Sequence, residues 1–190
     1  MTKEGNYLLR NIVIYYGDIV EFTILNCRIR VDFAFMLILS VSALLSADNV
    51  LYILLFSIIH EAGHLIVLLI VGGKADLIRF SYYGVAMKYE TKLSRAKEFA
   101  VISAGPILNF ILYLFLRDDF NLILFAINML PVFPLDAGRL LDLFSVRLSK
   151  SISRIFIILL LVFSIYLIVK YNSFSMLLIV LYLIAYSVNY

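Results

Sequence analysis

Residues 50–71 read VLYILLFSIIHEAGHLIVLLIV, and this stretch indicates both the fold class and the chemistry of the chain. Outside the run His60–His64, every side chain in it is apolar except those of Tyr52 and Ser57. An apolar run of about 20 residues is long enough to cross a bilayer as an α-helix. Ionisable side chains at that depth cost roughly 2.5–3.5 kcal/mol each on insertion scales, and they are usually functional. We therefore expect a membrane helix that carries a polar functional site.

The composition of the whole chain supports a membrane protein. Of its 190 residues, 64% are hydrophobic and 15% are charged, and the mean hydropathy is +1.02. A soluble domain of this size could not cover so much apolar surface with polar side chains. The net charge of +3 comes without a basic patch, which argues against nucleic-acid binding. Cys27 is the only cysteine, so a cysteine-based metal cluster within one chain is excluded.

Six apolar segments predict an all-α membrane protein with about six transmembrane helices and a small β-hairpin or strand element. The fourth segment is short and contains Pro131 and Pro134. Irregular backbone of this kind is tolerated at membrane depth only where it lines a cavity or is buried in protein. We divide the chain into an N-terminal extension, residues 1–31, and a membrane domain, residues 32–190. The apolar segments are Phe33–Leu45, Val50–Val71, Phe99–Leu116, Phe120–Phe133, Ile155–Val169 and Phe174–Val188.

Two stretches outside those segments predict strands. Residues 12–31 are rich in β-branched and aromatic side chains around the turn signal Gly17-Asp18, which indicates a short hairpin or an interfacial segment. The polar connection Gly72–Lys97 contains two further runs of strand-forming residues, and we expect them to form a hairpin near the membrane. These two runs are Ala75–Phe80 and Gly84–Tyr89.

The distribution of basic residues predicts the orientation in the membrane, because lysine and arginine favour cytoplasmic loops. They are concentrated in the N-terminal segment, in the loop after the second apolar segment and in the loop after the fourth. With six spans these three regions lie on one side, together with the C-terminus. We therefore expect a multi-pass protein of the cell membrane with both termini and the active-site opening in the cytoplasm. The basic residues of the three regions are Lys3, Arg10, Arg28, Arg30, Lys74, Arg79, Lys88, Lys92, Arg95, Lys97, Arg139, Arg147, Lys150 and Arg154.

The histidines at positions 60 and 64 are the only two in the chain. Residues four apart share a face of a helix, so both imidazoles can bind one Zn²⁺. Glu61 stands beside them, where it can act as general base toward a water activated by the metal. A single histidine on an apolar helix is more often a core residue than a ligand. Two histidines at ligand spacing, with a carboxylate between them, instead favour a zinc site.

A catalytic zinc commonly has three protein ligands and one open position, so a third ligand must be found. Without a further histidine it should be a carboxylate. We favour Asp136, because the prolines before it and Gly138 after it bend the chain and can present the carboxylate to a cavity. The alternative role for Asp136 is to cap a helix that begins at Ala137. The carboxylates near apolar sequence are those of Asp32, Asp48, Asp136 and Asp142.

Three motifs, in this order along the chain, resemble those of the site-2 protease family of intramembrane metalloproteases. The resemblance covers residues 28–150, and it is nearest to the branch of the sporulation factor that processes pro-sigma-K. It implies that His60, His64 and Asp136 are zinc ligands and that Glu61 is the catalytic acid and base. It also implies that Asn128 helps to hold the substrate near the zinc. The motifs are His60-Glu61-Ala62-Gly63-His64, Ser103-Ala104-Gly105-Pro106-Ile107-Leu108-Asn109-Phe110 and Asn128-x-x-Pro131-x-x-Pro134-Leu135-Asp136-x-Gly138-Arg139.

One position departs from the pattern of this family. The family usually has two glycines after the aspartate, and Ala137 stands at the first of these positions. Alanine does not readily adopt the left-handed backbone conformation that glycine allows. We therefore expect a reshaped turn after Asp136, with all ligand types retained. Gly105 and Asn109 are expected to be packing residues of the third apolar segment.

Motif and resemblance together predict a zinc metalloendopeptidase that hydrolyses peptide bonds in or near transmembrane segments, with release of a sigma factor as one such role. The expected cofactor is Zn²⁺. The expected partners are a membrane-protein substrate, the lipid bilayer and a regulatory membrane protein, without nucleic acid. One alternative is a polytopic divalent-metal transporter, which would need further carboxylates or histidines along a path through the spans. The other is a non-catalytic binder of membrane helices, which would normally show a damaged motif.

Overall fold

The computed structural model describes residues 14–16, 19–24, 27–45, 48–81, 84–89 and 91–188. Within these ranges the chain forms five strands and seven helices, divided between two compact units, residues 1–94 and 95–190. The first unit contains β1 (Ile14–Tyr16), β2 (Ile19–Ile24), β3 (Cys27–Asp32), α1 (Phe33–Leu44), α2 (Asp48–Ile70), β4 (Leu77–Ser81) and β5 (Gly84–Lys88). The second contains α3 (Arg95–Leu116), α4 (Asp119–Asn128), α5 (Asp136–Phe144), α6 (Val146–Tyr171) and α7 (Ser175–Val188).

The strands of the first unit form one sheet in the order β1-β2-β3-β4-β5. All neighbours are antiparallel except β3 and β4, which run parallel. Paired residues share a face of a sheet and successive residues alternate between faces, so the register separates an apolar face from a charged one. Ile29, Ile78 and Met87 are paired on the apolar face, and Arg30 is paired with Arg79 on the charged face. The sheet is therefore amphipathic, and β5 forms one of its edges.

An ion pair and an aromatic contact join α1 to the sheet. Asp32 ends β3 directly before α1. Its Oδ1 accepts a hydrogen bond from Nε of Arg79 at 3.3 Å, and its Oδ2 accepts one from Nη2 at 2.8 Å. The rings of Phe35 and Phe80 lie 5.5 Å apart. Because two parallel guanidinium hydrogen bonds fix both position and orientation, this pair holds the start of α1 on β4. The Asp32 carboxylate thus has a structural partner in this unit.

The second unit begins with a helical hairpin of α3 and α4. Arg117 takes a left-handed conformation with φ 54° between the two helices. Asp118 then caps α4, because its carboxylate accepts a hydrogen bond from the Phe120 amide at 2.8 Å. The rings of Phe110 and Phe125 lie 4.9 Å apart across the hairpin. This contact sets the register in which the two antiparallel helices face each other.

The segment between α4 and α5 is packed inside the second unit. Val132 is fully buried in an apolar cluster with Ile157 of α6 and with Val180 and Leu183 of α7. The peptide bond between Phe133 and Pro134 is cis. The proline-containing segment is therefore anchored in the protein interior by Val132, and burial in protein is the setting in which irregular backbone is tolerated within a membrane protein.

The predicted fold class is confirmed, since the described part of the chain consists of apolar helices with one small sheet. Three helices, α2, α3 and α6, are long and apolar enough to cross a membrane. The helices α1, α4 and α7 are apolar but shorter. The long helices expose large apolar side chains such as Leu55, Phe115 and Val169. Such continuous apolar surfaces are rare on soluble proteins and are typical of helices that face lipid.

The largest differences between the helix boundaries and the predicted segments lie at the end of α4 and at the start of α6. The helix α4 ends at Asn128, before the prolines, because Pro131 cannot supply the amide that would continue the helix. The helix α6 begins at Val146, well before the apolar segment that predicted it. Ser145 caps this helix, since its hydroxyl accepts a hydrogen bond from the Leu148 amide at 3.3 Å. Its first turns are polar, and hydropathy alone therefore missed them.

The hairpin predicted within Gly72–Lys97 is confirmed by the antiparallel pairing of β4 with β5. In the N-terminal segment β1 and β2 are also antiparallel, and β3 extends them toward β4. The turn residues Gly17 and Asp18 lie outside the described residues. The division of the chain at residue 31 stays a prediction.

Candidate metal centre

The helix α2 places His60 and His64 on one face. The two positions are one helical turn apart, and the side chains of both residues are buried, with 6% and 3% of their surface exposed. A buried imidazole needs polar partners or a metal to offset the loss of water. The surrounding positions of α2 are apolar and form an uninterrupted helix, so the backbone holds the two rings in a fixed relation.

The geometry of the two rings suits a shared metal ion. Their Nε2 atoms lie 3.1 Å apart, and the ring planes are nearly perpendicular, at 84°, with centroids 4.7 Å apart. Two nitrogens that each bind a tetrahedral zinc at about 2.0–2.1 Å are separated by about 3.3–3.4 Å. The observed separation is close to this value. The separation of the two nitrogens therefore allows both to bind one zinc ion.

Glu61 completes a compact set of potential ligands on the same helix. One ligand atom from each of His60, Glu61 and His64 lies within 4.8 Å of the others. Glu61 is half-buried, whereas both histidines are buried. With about 3.6 residues per turn, position 61 is rotated by about 100° from position 60. The carboxylate therefore approaches the imidazole pair from the side, which suits a group that exchanges protons beside a metal.

Asp136, the predicted third ligand, lies in the second unit. It is the first residue of α5 and is 5% exposed. One carboxylate oxygen accepts a hydrogen bond from Nη1 of Arg139 at 3.4 Å. Leu135 occupies the N-cap position of α5, so Asp136 belongs to the first helical turn. Its binding to the same metal as the histidines stays a prediction.

The backbone directly after Asp136 is helical, and its reshaping relative to the family pattern stays a prediction. Ala137 continues α5 as a buried helical residue, and among the described residues only Arg117 and Asn172 have positive φ without being glycine. Alanine suits a helical position, so its presence there needs no compensation. The constrained position is Gly138, where an added Cβ would lie 2.4 Å from the carbonyl carbon of Val132.

Asn128, the predicted substrate-binding residue, is the last residue of α4 and is half-buried. Its Nδ2 donates to the Leu124 carbonyl at 3.0 Å. The side-chain amide also has a second N–H and an acceptor oxygen, which are the groups needed to hold a peptide backbone. The remaining candidate carboxylates lie at the exposed start of α2, Asp48, and on α5, Asp142.

Two sets of polar residues are buried in the second unit, and of these only Asn109 was named from the sequence, as a packing residue. The side-chain amides of Asn109 and Asn121 are fully buried and have no hydrogen-bond partner among the residues that the structure describes. The hydroxyls of Ser149 and Ser153 are buried and bond to the segment around Asp136. Ser149 and Ser153 are four residues apart, just before the apolar run of α6, and this spacing could have indicated a shared polar face.

Comparisons with known proteins find a curated relative and solved structures of similar fold. No family model matches the chain. A protein named zinc metalloprotease from Methanocaldococcus jannaschii is 31% identical over an alignment of 148 positions. The match covers 63% of this chain and 43% of the relative. The chain therefore matches less than half the length of this relative.

The structural match is more extensive. The structure of a site-2 protease from Methanocaldococcus jannaschii superposes with a TM-score of 0.60, covering 87% of this chain and 91% of that one, at 23% sequence identity. At this identity the match shows that the two chains share a fold. The chain therefore has the fold of this site-2 protease. In this chain the histidine pair lies on the apolar helix α2.

Proposed function

We propose that the protein is an intramembrane zinc metalloprotease. The observation that carries this proposal is the position of the His60 and His64 Nε2 atoms, 3.1 Å apart and buried in a helix of membrane-spanning length. The similarity to a zinc metalloprotease and to the fold of a site-2 protease supports it. Zinc is favoured over a hard cation because imidazole nitrogens are ligands that zinc prefers.

The proposed ligands are His60, His64 and, from the second unit, Asp136. This set has the number and the donor types of a catalytic zinc site that keeps one open position. When bound, zinc supplies Lewis acidity, which polarises a peptide carbonyl and lowers the pKa of a nearby water. Glu61 accepts the proton of the attacking water and delivers a proton to the departing amine, since its carboxylate lies beside the histidines.

The proposed substrate is a membrane protein that is cleaved in or beside a transmembrane helix. A peptide bond inside a helix is shielded by the backbone, so the substrate must unwind before it can be attacked. The strand β5 is an edge of the sheet and contacts α2, the helix that carries the histidines. An edge strand can pair with an extended peptide through backbone hydrogen bonds. We infer that β5 receives the unwound substrate and that Asn128 holds it near the metal.

Proline substitution tests the role of β5. The backbone amides of neighbouring strand residues point to opposite edges of the strand, one toward β4 and the other toward the free edge of the sheet. Of Val85→Pro and Ala86→Pro, one therefore removes an amide at the free edge, and the other removes a hydrogen bond between β4 and β5. We expect the outward substitution to slow cleavage by about tenfold, the value of one backbone hydrogen bond. Thermal unfolding identifies the variant with an intact sheet, and zinc content should be unchanged in it. Full cleavage by that variant would contradict the pairing.

We further propose a multi-pass arrangement with the basic loops in the cytoplasm. Lys92, Arg95 and Lys97 are exposed around the start of α3, and Arg147 and Arg154 are exposed on the first turns of α6. Exposed basic residues at helix ends fit the headgroup region of the cytoplasmic leaflet. A regulatory membrane partner and the release of a sigma factor are further parts of the proposal, and they rest on the family resemblance.

Metal removal tests the proposed activity directly. The purified protein is placed in lipid vesicles with a tagged single-span membrane helix as substrate, and fragments are measured with and without a zinc chelator. We expect the chelator to abolish cleavage and one equivalent of Zn²⁺ to restore it, whereas His64→Ala should stay inactive after zinc is added. Chelator-resistant cleavage would overturn the metalloprotease proposal. Zinc flux into the vesicles without any cleavage would instead support a transporter.

A further inference from the structure

The buried serines of α6 differ in what their hydroxyls contact. Ser149, Ser153 and Ser164 are all at most 3% exposed. Serine on a helix commonly donates to a carbonyl one turn earlier on the same helix. Ser164 does so, with its Oγ 2.7 Å from the Leu161 carbonyl oxygen. Ser149 and Ser153 instead bond to backbone outside α6.

Ser153 bonds to the proline-containing segment before Asp136. Its Oγ accepts a hydrogen bond from the Phe133 amide at 3.1 Å and donates to the Pro131 carbonyl at 3.4 Å. A hydroxyl can perform both roles at once, so a single side chain fixes two points of this segment. Pro131 and Pro134 have no amide hydrogen, which limits the bonds that the segment can make within itself. Ser153 therefore supplies an anchor from a neighbouring helix.

Ser149 bonds to the backbone on the other side of Asp136. Its Oγ donates to the Gly138 carbonyl oxygen at 3.1 Å, in a fully buried setting. Ser149 and Ser153 are one turn apart on α6 and so share a face. Together they hold the chain three residues before Asp136 and two residues after it. The backbone on both sides of Asp136 is thus hydrogen-bonded to two serines of α6.

We propose that Ser149 and Ser153 are positioning residues that hold Asp136 in place as a zinc ligand. The inference rests on the proposed function, because it assumes that Asp136 binds the metal. Hydrogen bonds around a ligand orient it, and their loss typically lowers metal affinity by about 10–100-fold. A carboxylate in the first turn of a short helix needs such support, since its place depends on the backbone on both sides. Through these hydrogen bonds, the position of α6 determines the position of the Asp136 backbone.

Zinc affinity of the purified full chain tests this proposal, measured by competition with a chromogenic chelator in detergent. Ser153→Ala and Ser149→Ala should each weaken zinc binding by about tenfold. The matched control is Ser164→Ala, which removes an equally buried hydroxyl of the same helix, one that bonds to the Leu161 carbonyl of α6 itself. Its zinc affinity should stay within about twofold of the wild type, since its hydroxyl bonds only within α6.

A second readout separates positioning from a general loss of stability. Each variant is loaded with Co²⁺, whose visible absorption reports the geometry of its ligands, and thermal unfolding is recorded in excess chelator. We expect an altered Co²⁺ spectrum for Ser153→Ala and Ser149→Ala and an unaltered one for Ser164→Ala. If the variants unfold at the same temperature in chelator but differ in their Co²⁺ spectra, the result supports the positioning role of Ser149 and Ser153. If Ser153→Ala does not fold, Ser149→Ala decides, because it loses only one hydrogen bond.

Asp136→Ala serves as the reference that separates the two proposals. If it weakens zinc binding while both serine variants bind zinc and Co²⁺ as Ser164→Ala does, the positioning role is overturned and the ligand set stands. If Asp136→Ala binds zinc as tightly as the wild type, Asp136 is not a ligand, and both the ligand set and the positioning role fail. Cleavage activity is not needed for either decision.

Discussion

Replacing Glu61 by glutamine is expected to lower peptide-bond cleavage by about 10²–10⁴-fold, the usual contribution of a general base, and to leave zinc content unchanged. Glutamine has nearly the shape of glutamate but cannot accept a proton at neutral pH. The histidine nitrogens that define the metal position are contributed by other residues. The variant should therefore fold, bind zinc and fail only in proton transfer.

Two variants on the same helix serve as controls for Glu61→Gln. Asp48→Asn removes an exposed carboxylate at the start of α2 and should cleave as the wild type does. His64→Ala removes a proposed ligand and should lose zinc together with activity. Cleavage fragments are quantified with a tagged membrane helix in vesicles, and zinc is measured by elemental analysis. Wild-type cleavage by Glu61→Gln would refute the role of Glu61, and loss of zinc would make it a ligand instead.

The part of the site that lies on α2 could be predicted because it depends only on helical periodicity. An uninterrupted apolar run fixes a helix, and residues four apart on a helix meet on one face whatever surrounds them. The structure brings His60, Glu61 and His64 together as the motif predicted. The strands could be predicted for a related reason, since alternation between apolar and polar residues gives an amphipathic sheet.

Most of the features that could not be predicted depend on contacts between distant segments. Nothing local in the sequence shows that Ser153 bonds to Pro131 and Phe133, because these residues are far apart along the chain. The start of α6 was missed because its first turns are polar, and a hydropathy argument does not detect a polar turn that follows a capping serine. The Asp32–Arg79 pair was missed because its two residues are far apart along the chain and meet only where β3 pairs with β4 in the sheet.

Of the two residues after Asp136, the one that departs from the family pattern is not the one under steric constraint. Ala137 departs from the pattern, yet it occupies a right-handed helical position that alanine favours. Gly138 keeps the pattern, and its importance is steric. Its hydrogen faces the Val132–Phe133 backbone, so closely that no larger side chain fits. Alanine would be unfavourable in a left-handed turn, but the chain does not make such a turn at Ala137.

Gly138→Ala is therefore expected to damage the site far more than Ala137→Gly does. The new Cβ would lie 2.4 Å from the Val132 carbonyl carbon and 2.5 Å from the Phe133 nitrogen. These are backbone atoms, so relief requires a shift of α5 or of the segment that Ser153 anchors. Overpacking of this kind lowers the free energy of unfolding by about 1–3 kcal/mol. A displacement of about 1 Å at Asp136 would cost about 100-fold in activity.

Ala137→Gly is the matched control, because it changes one methyl group at the adjacent buried position. Glycine within a helix costs about 1 kcal/mol of stability relative to alanine, and it introduces no clash. We expect this variant to keep its zinc affinity within about threefold of the wild type, since it leaves the backbone around Asp136 unstrained. Chelator competition and thermal unfolding measure both variants. Equal zinc affinity in Gly138→Ala and Ala137→Gly would show that the close approach of α5 to Val132 does not set the position of Asp136. A loss of zinc affinity in Gly138→Ala alone would show that the backbone packing of α5 against Val132 does set it.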